Sequence, residues 1–182
     1  VEAIEEEIIK LKSFDIGSLV QKNIIFTDYL QNGITVRFFD KGEEHSSIVR
    51  LIDYDKVENN TFYIVNQFTF LENGNNRRPD IILFVNGLPL VLMELKSPSK
   101  DEVNVENAYN QLRNYMQDIP SMFYYNAICV ISDLSINKAG TITSGLDRFM
   151  EWKTKDGNIE NTALAHFDTF YEGMFSKERL LD

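Results

Sequence analysis

Apolar residues change their period along the chain, and each change marks an element. Over Glu2–Lys12 the residues Ile4, Ile8, Ile9 and Leu11 recur at helical spacing, with acids early enough to suit the helix dipole. Leu19–Leu30 repeats the pattern, and Asn32-Gly33 is a stop signal, so two N-terminal helices are predicted. The pattern then shortens to strand-like runs: ITVRFF (34–39), a turn at Asp40-Lys41-Gly42-Glu43, IVRLIDY (48–54) and FYIVNQFTFL (62–71). IILFV and LPLVLM flank Asn86-Gly87, a strong hairpin signal because both turn residues tolerate positive φ. All these strands are expected in one mixed sheet. From Val103 to Asp118 the residues Val105, Ala108, Tyr109, Leu112, Tyr115, Met116 and Ile119 form a helical stripe, and Asn126–Ser132 reads as a returning strand. A strand-helix-strand crossover favours parallel pairing. The tail, Ala163–Leu181, reads as helix. The expected class is α/β: a central mixed sheet flanked by helices, with two helices before it.

The run from Leu90 to Met93 is apolar at every position, which predicts a strand covered on both faces. Charges cluster at the open end of this hairpin: Arg78-Pro79-Asp80 before it, and Glu94-Leu95-Lys96 after thirteen residues. A carboxylate at the rim of a buried sheet costs several kcal/mol, roughly, or takes up a proton, unless something compensates it. A divalent cation is such a compensation, and paired carboxylates suit Mg²⁺, with Mn²⁺ as a substitute. Lys96 lies two residues beyond Glu94, on the same strand face, within reach of a metal-bound water or a phosphate. Acids, a metal and a cation are the parts that phosphodiester hydrolysis requires.

Register sharpens the idea. A strict two-residue turn pairs Val85 with Leu88 and sets Asp80 opposite Met93, with Glu94 on the other face. One bulge or a three-residue loop sets Asp80 opposite Glu94 instead. Pro89 cannot donate to a ladder, so an irregularity just after the turn is predicted. Gln111 and Tyr115, four apart on the next helix, can present an amide and a phenol toward the same place. The bland alternatives make Asp80 a turn cap, Glu94 an exposed strand end with Lys96 as its ion partner, and Tyr115 a core residue.

Composition narrows the context. At 182 residues and 43% hydrophobic content, one domain spanning 1–182 is expected, with its core at about 34–152. Glu72–Arg78 reads as a turn or loop. No apolar run nears the roughly 18 residues of a membrane span, and no signal-peptide pattern opens the chain. With Cys129 alone, no internal disulfide is possible, and a bacterial-type cytoplasm is the expected compartment. Neither His45 nor His166 has a partner at metal spacing, so zinc and a Cys129 nucleophile are both disfavoured. Trp152 reads as packing, and Arg77 and Arg78 either contact phosphate or pair with nearby acids. Gly140 and Gly145 have the P-loop spacing, but Leu146 stands where its lysine belongs. The chain starts at Val1 and stops within a helical pattern, so it is expected to be part of something longer. A net charge of −10 argues against tight DNA binding by this region alone; tethering to a motor would offset that.

Pro79-Asp80 with Glu94-Leu95-Lys96 resembles the PD-(D/E)xK nuclease superfamily. The longer stretch VNQFTFLENGNNRRPDIILFVNGLPLVLMELKSP is similar to the nuclease domain at the N-terminal end of the R subunit of type I restriction-modification enzymes. Gln111-Leu112-Arg113-Asn114-Tyr115 matches that branch's QxxxY motif, and YNAICVISD followed by ITSGLDRFMEW keeps the family's order. The resemblance implies a restriction-endonuclease-like core and an endonuclease that cuts duplex DNA non-specifically after ATP-driven translocation. It implies partner subunits for methylation and specificity, with ATP bound only by motor domains outside this chain. Carried over by position, Asp80 and Glu94 bind metal, Lys96 is the catalytic lysine, and Gln111 and Tyr115 support the site. A further early acid is common in the superfamily; Asp28 and the run Glu5, Glu6, Glu7 are candidates. The rival readings are a docking or coupling module with vestigial nuclease residues, and a repair or junction nuclease of the same superfamily.

Overall fold

The computed structural model describes residues 2–13, 17–97, 105–133, 135–158 and 167–182. Helix α1 (Glu2–Lys10) ends two residues before the expected Lys12, and α2 (Leu19–Asn32) follows. A capping box starts α2: the Gln21 N–H donates to Ser18 Oγ and the Ser18 N–H to Gln21 Oε1, which meets two otherwise unsatisfied donors. Gly33 ends it at φ 77°, where a Cβ would lie 2.8 Å from the Val49 carbonyl oxygen, so any side chain is excluded.

Strands β1 (Ile34–Asp40) and β2 (Glu43–Val49) pair only with each other, forming a separate two-stranded ribbon. This corrects the expectation of one common sheet. It also corrects the strand expected over 48–54: beyond Val49 the chain turns Ile52 inward, and Asp53 gathers local donors. The Lys56 N–H and the Asn59 amide both donate to the Asp53 carboxylate. Such side-chain bonding competes with a ladder.

The central sheet has the order β3-β6-β7-β8-β9. Its members are β3 (Phe62–Asn66), β6 (Ile81–Val85), β7 (Leu88–Leu95), β8 (Ile128–Ser132) and β9 (Asn137–Gly140). The run expected as one strand over 62–71 breaks at Gln67, whose φ is 53°. Past the break, β4 (Phe70–Glu72) and β5 (Asn75–Arg77) make a small hairpin where a loop was expected, turning at Asn73-Gly74 with φ 50° and 81°. Strand β8 runs parallel to β7, as the crossover predicts, while β9 returns antiparallel.

Helix α3 (Val105–Asp118) and the short α4 (Pro120–Phe123) cover one face. Ile82, Leu92, Cys129 and Ile131 pack there against Val105, Ala108, Leu112, Tyr115 and Phe123. Leu83, Val85, Val91, Met93 and Val130 point to the other face and meet Phe26 and Leu30 of α2. Phe170 of α5 (Phe167–Met174) joins them. Strand alternation thus sorts one apolar run between two helical layers, and Leu90–Met93 is buried throughout as predicted. The tail is not one helix: it breaks after Met174 and resumes as α6 (Lys177–Leu180), and residues 163–166, His166 among them, lie outside the described residues.

Candidate functional site

The β6–β7 hairpin turns at Asn86 (φ 51°) and Gly87 (φ 82°), so Val85 pairs with Leu88 and Phe84 with Pro89. The next pair is Leu83 with Val91, which leaves Leu90 unpaired as the predicted bulge. The Leu90 carbonyl instead accepts from the Ala127 N–H and the Asn126 amide. Beyond the bulge, Ile81 pairs with Met93, so the register continues to Asp80 opposite Glu94. Both then share the α3 side of the sheet with Leu92.

Asp80 is held on three sides. Its carbonyl accepts from the Gln67 N–H (2.9 Å), Oδ1 accepts from Gln67 Nε2 (2.6 Å), and Oδ2 accepts from the Leu95 N–H (2.9 Å). The last bond reaches the residue after Glu94 and draws the two carboxylates to one corner. Glu94 is 4% exposed. Its Oε1 accepts from Lys96 Nζ at 2.7 Å, while Oε2 is buried with no hydrogen-bond partner. Burial, foremost, and the Asp80 charge push the Glu94 carboxyl above its ordinary value, against the pull of Lys96. Lys96 is half-buried, and its N–H donates to the Ser132 carbonyl at the end of β8.

Tyr115 roofs this corner from α3, buried, with its hydroxyl 3.5 Å from the Arg78 carbonyl. Burial and the nearby Glu94 charge push its phenol up to about 12, so it stays a proton donor at neutral pH; Gln111, bonded to it, opposes the shift. The five residues singled out, Asp80, Glu94, Lys96, Gln111 and Tyr115, thus meet at one end of β7. Arg78 donates to Gln67 Oε1 (3.1 Å), whereas Arg77 turns away to Asp118 (2.7 Å).

The early acids do not join them. Helix α2 is tied by Asn23 to the carbonyls of Phe123, Tyr124 and Asn126, where β8 begins, so Asp28 belongs to the opposite end of the sheet and accepts from Asn32. Helix α1 lies there too, its Ile8 carbonyl accepting from Tyr125, and Glu7 pairs with Lys10. Among the described residues no group of three or more His, Cys, Asp or Glu gathers. His45 stacks on Phe38, and burial pushes the Cys129 thiol up to about 12.

Gln67 is the residue sequence reasoning missed. Its left-handed backbone is uncommon for a non-glycine residue, and its amide clamps Asp80. The visible signal was the polar pair Asn66-Gln67 inside an apolar run.

The oxygen-only donor set and the orphaned Oε2 fit a hard divalent cation, since a buried acceptor left without a donor costs about 1–3 kcal/mol. Beside the corner runs a polar groove of about 510 Å³, floored by Leu95, Lys96 and Ser97. A cavity of about 570 Å³ opposite Met93 is larger, but it lies across the sheet from the carboxylates and is lined mostly by apolar side chains.

Residues 2–148 match the family model described as "Type I restriction enzyme R protein N terminus". The chain is 36% identical to the type I restriction enzyme HindI endonuclease subunit of Haemophilus influenzae, with 99% of this chain and 17% of that protein covered. It is 34% identical to the putative type I restriction enzyme MjaIXP endonuclease subunit of Methanocaldococcus jannaschii, covering 87% of this chain and 17% of that protein. Similarity at 29% identity extends to the type I restriction enzyme EcoprrI endonuclease subunit of Escherichia coli, over 91% of this chain and 51% of that protein. The chain thus spans about a sixth of the first two relatives.

Proposed function

Because the chain belongs to the family of type I restriction enzyme R protein N-terminal regions, we propose that it is the metal-dependent endonuclease module of such a subunit. On this reading it cleaves duplex DNA non-specifically, after translocation by motor domains beyond this chain, in complex with methylation and specificity subunits in the cytoplasm. Among the described residues no helix is long and apolar enough to cross a membrane. The observation that carries the reading is the buried, unpartnered Oε2 of Glu94 beside Asp80 and Lys96.

Asp80 and Glu94 are the residues that would hold Mg²⁺ or Mn²⁺. Bound there, the ion supplies Lewis acidity and a water of lowered pKa. Lys96, fixed through Glu94 Oε1, holds a positive charge where a phosphate oxygen and the attacking water meet. Tyr115 stays protonated above Glu94, its hydroxyl turned to the Arg78 carbonyl, and Gln111 steadies the phenol. Gln67 keeps the Asp80 carboxylate from rotating away.

Asp80→Ala, Glu94→Ala and Lys96→Ala in the complete subunit should each abolish DNA cleavage while ATP hydrolysis and translocation continue. Loss of all three activities together would mark misfolding and count against these roles. The net charge of −10 favours a second reading, a docking module with a vestigial site. Calorimetry separates the two: an intact carboxylate pair takes up Mg²⁺ or Mn²⁺ and loses that uptake in Glu94→Ala, whereas a vestigial one takes up neither.

A further inference from the structure

Helix α3 carries a second face. Val105, Ala108, Leu112 and Tyr115 pack on the sheet, whereas Asn107, Asn110, Gln111 and Asn114 recur at i, i+3, i+4 and i+7, within about 100° of arc. These four amides, with Leu95, Lys96 and Ser97, line the groove beside the carboxylates. Asn107, Asn110 and Asn114 are exposed, and Gln111 is half-buried where the groove meets Tyr115.

The charge of this lining sets it apart. The chain has 28 acidic and 18 basic residues, yet among the described residues that line the groove none is acidic, and Lys96 is the one cation. One turn beyond Asn114 the stripe reaches Asp118, and Arg77 neutralises it at 2.7 Å. The exposed Glu106 in the first turn of α3 is not among the described lining residues. Asn110 and Asn114, exposed and uncharged, offer paired N–H donors to anionic oxygens on this face.

We propose that this amide stripe seats the sugar-phosphate backbone of one DNA strand and leads it to Lys96. The proposal deepens the nuclease reading and rests on it. From Asn107 to Asn114 the helix rises about 10 Å, close to the axial rise of three base pairs of duplex. Amide-to-phosphate hydrogen bonds position a strand without reading its sequence. They also displace few counterions, so binding is weak and depends only shallowly on salt, unlike that of a lysine-lined cleft.

The test titrates the isotopically labelled chain with a short duplex, without divalent metal, and follows side-chain amide resonances by NMR up to millimolar DNA. The signals of Asn107, Asn110, Gln111 and Asn114 should move together on one isotherm, alike for duplexes of different sequence. Asn110→Asp and Asn114→Asp, isosteric changes on an exposed face, should each weaken binding about tenfold. Asn110→Lys should tighten it and steepen the salt dependence. Gln31→Glu, an equal charge change on α2, should alter affinity less than about twofold.

Stationary groove signals, sequence-dependent affinity, or equal weakening by Gln31→Glu would each overturn the proposal. Mg²⁺ calorimetry on the parent reads the carboxylate corner separately. Metal uptake with stationary groove amides removes the groove and keeps the nuclease reading; moving amides without metal uptake do the reverse.

Discussion

Hairpins β1–β2 and β6–β7 turn in the same way and end differently. Both reverse at a residue-glycine pair with positive φ: Lys41 (51°) and Gly42 (87°) in one, Asn86 (51°) and Gly87 (82°) in the other. The first runs as seven uninterrupted pairs with nearly every position exposed, Phe39 and Ile48 included. The second breaks its ladder at Leu90, is covered on both faces by helices, and ends in two carboxylates and a lysine. Turn chemistry is therefore enough to make a hairpin, while making a site takes a register that aligns the acids and a layer that desolvates them. A carboxylate on the open ribbon, such as Glu44, is bathed by water and pairs loosely with Arg37 at 3.7 Å. Glu94 is buried, and although Lys96 meets its Oε1 at 2.7 Å, Oε2 has no donor, which is what makes it fit for a cation.

That contrast can be broken most forcefully at the carboxylates. Glu94→Ala should lower DNA cleavage by the complete subunit about 10³-fold or more, while Glu44→Ala leaves the rate unchanged. Equal losses, read by supercoiled-plasmid linearisation, would erase the distinction. Packing comes next. Leu92→Ala, at a position with no exposure, should cost about 2–5 kcal/mol in urea unfolding, and Ile48→Ala, 65% exposed, within about 0.5 kcal/mol.

Protonation separates the two hairpins further. Burial raises the Glu94 pKa in the folded chain above its ordinary 4.5, so the native state binds more protons than the unfolded state just above that value. Stability is then lost as pH climbs through this window. Thermal melts between about pH 4 and 8 should show the Glu94→Gln variant gaining on the parent as pH rises, and Mg²⁺ should reverse the trend by stabilising the parent alone. A pH-independent difference would count against a buried, strained carboxylate. The smallest effect is expected at Gln67: Gln67→Ala should cut cleavage about tenfold, or 1.4 kcal/mol, with little change in melting temperature. Gln67→Gly, although freed of the left-handed strain, should not restore it.

Much of the site was legible because its signals are local. The Asn-Gly turn, the proline after it and the all-apolar strand led to a bulged, doubly covered hairpin, and the structure bears out both features. The helix phase of Gln111 and Tyr115 put both on the side of α3 that faces the carboxylates. The misread segments share a different cause. Residues 48–54 and 62–71 have strand-forming composition, but side chains of Asp53 and Gln67 capture the backbone or a distant partner and end the strand. Residues 72–78 look like a loop by polarity, yet Asn73-Gly74 folds them into a hairpin whose Asn75 amide reaches the Asp118 carbonyl.

From residue order alone came the two N-terminal helices, the bulged β6–β7 hairpin with its two-sided burial, the α3 crossover and the five side chains of the corner, because period, turn chemistry and charge placement act over a few neighbours. Which strands share a sheet, which acids stay away and where Gln67 reaches were settled only by the folded chain. Those outcomes depend on contacts between segments far apart in sequence, such as Gln67 with Asp80 and Asn23 with Asn126, and no local pattern encodes such distances.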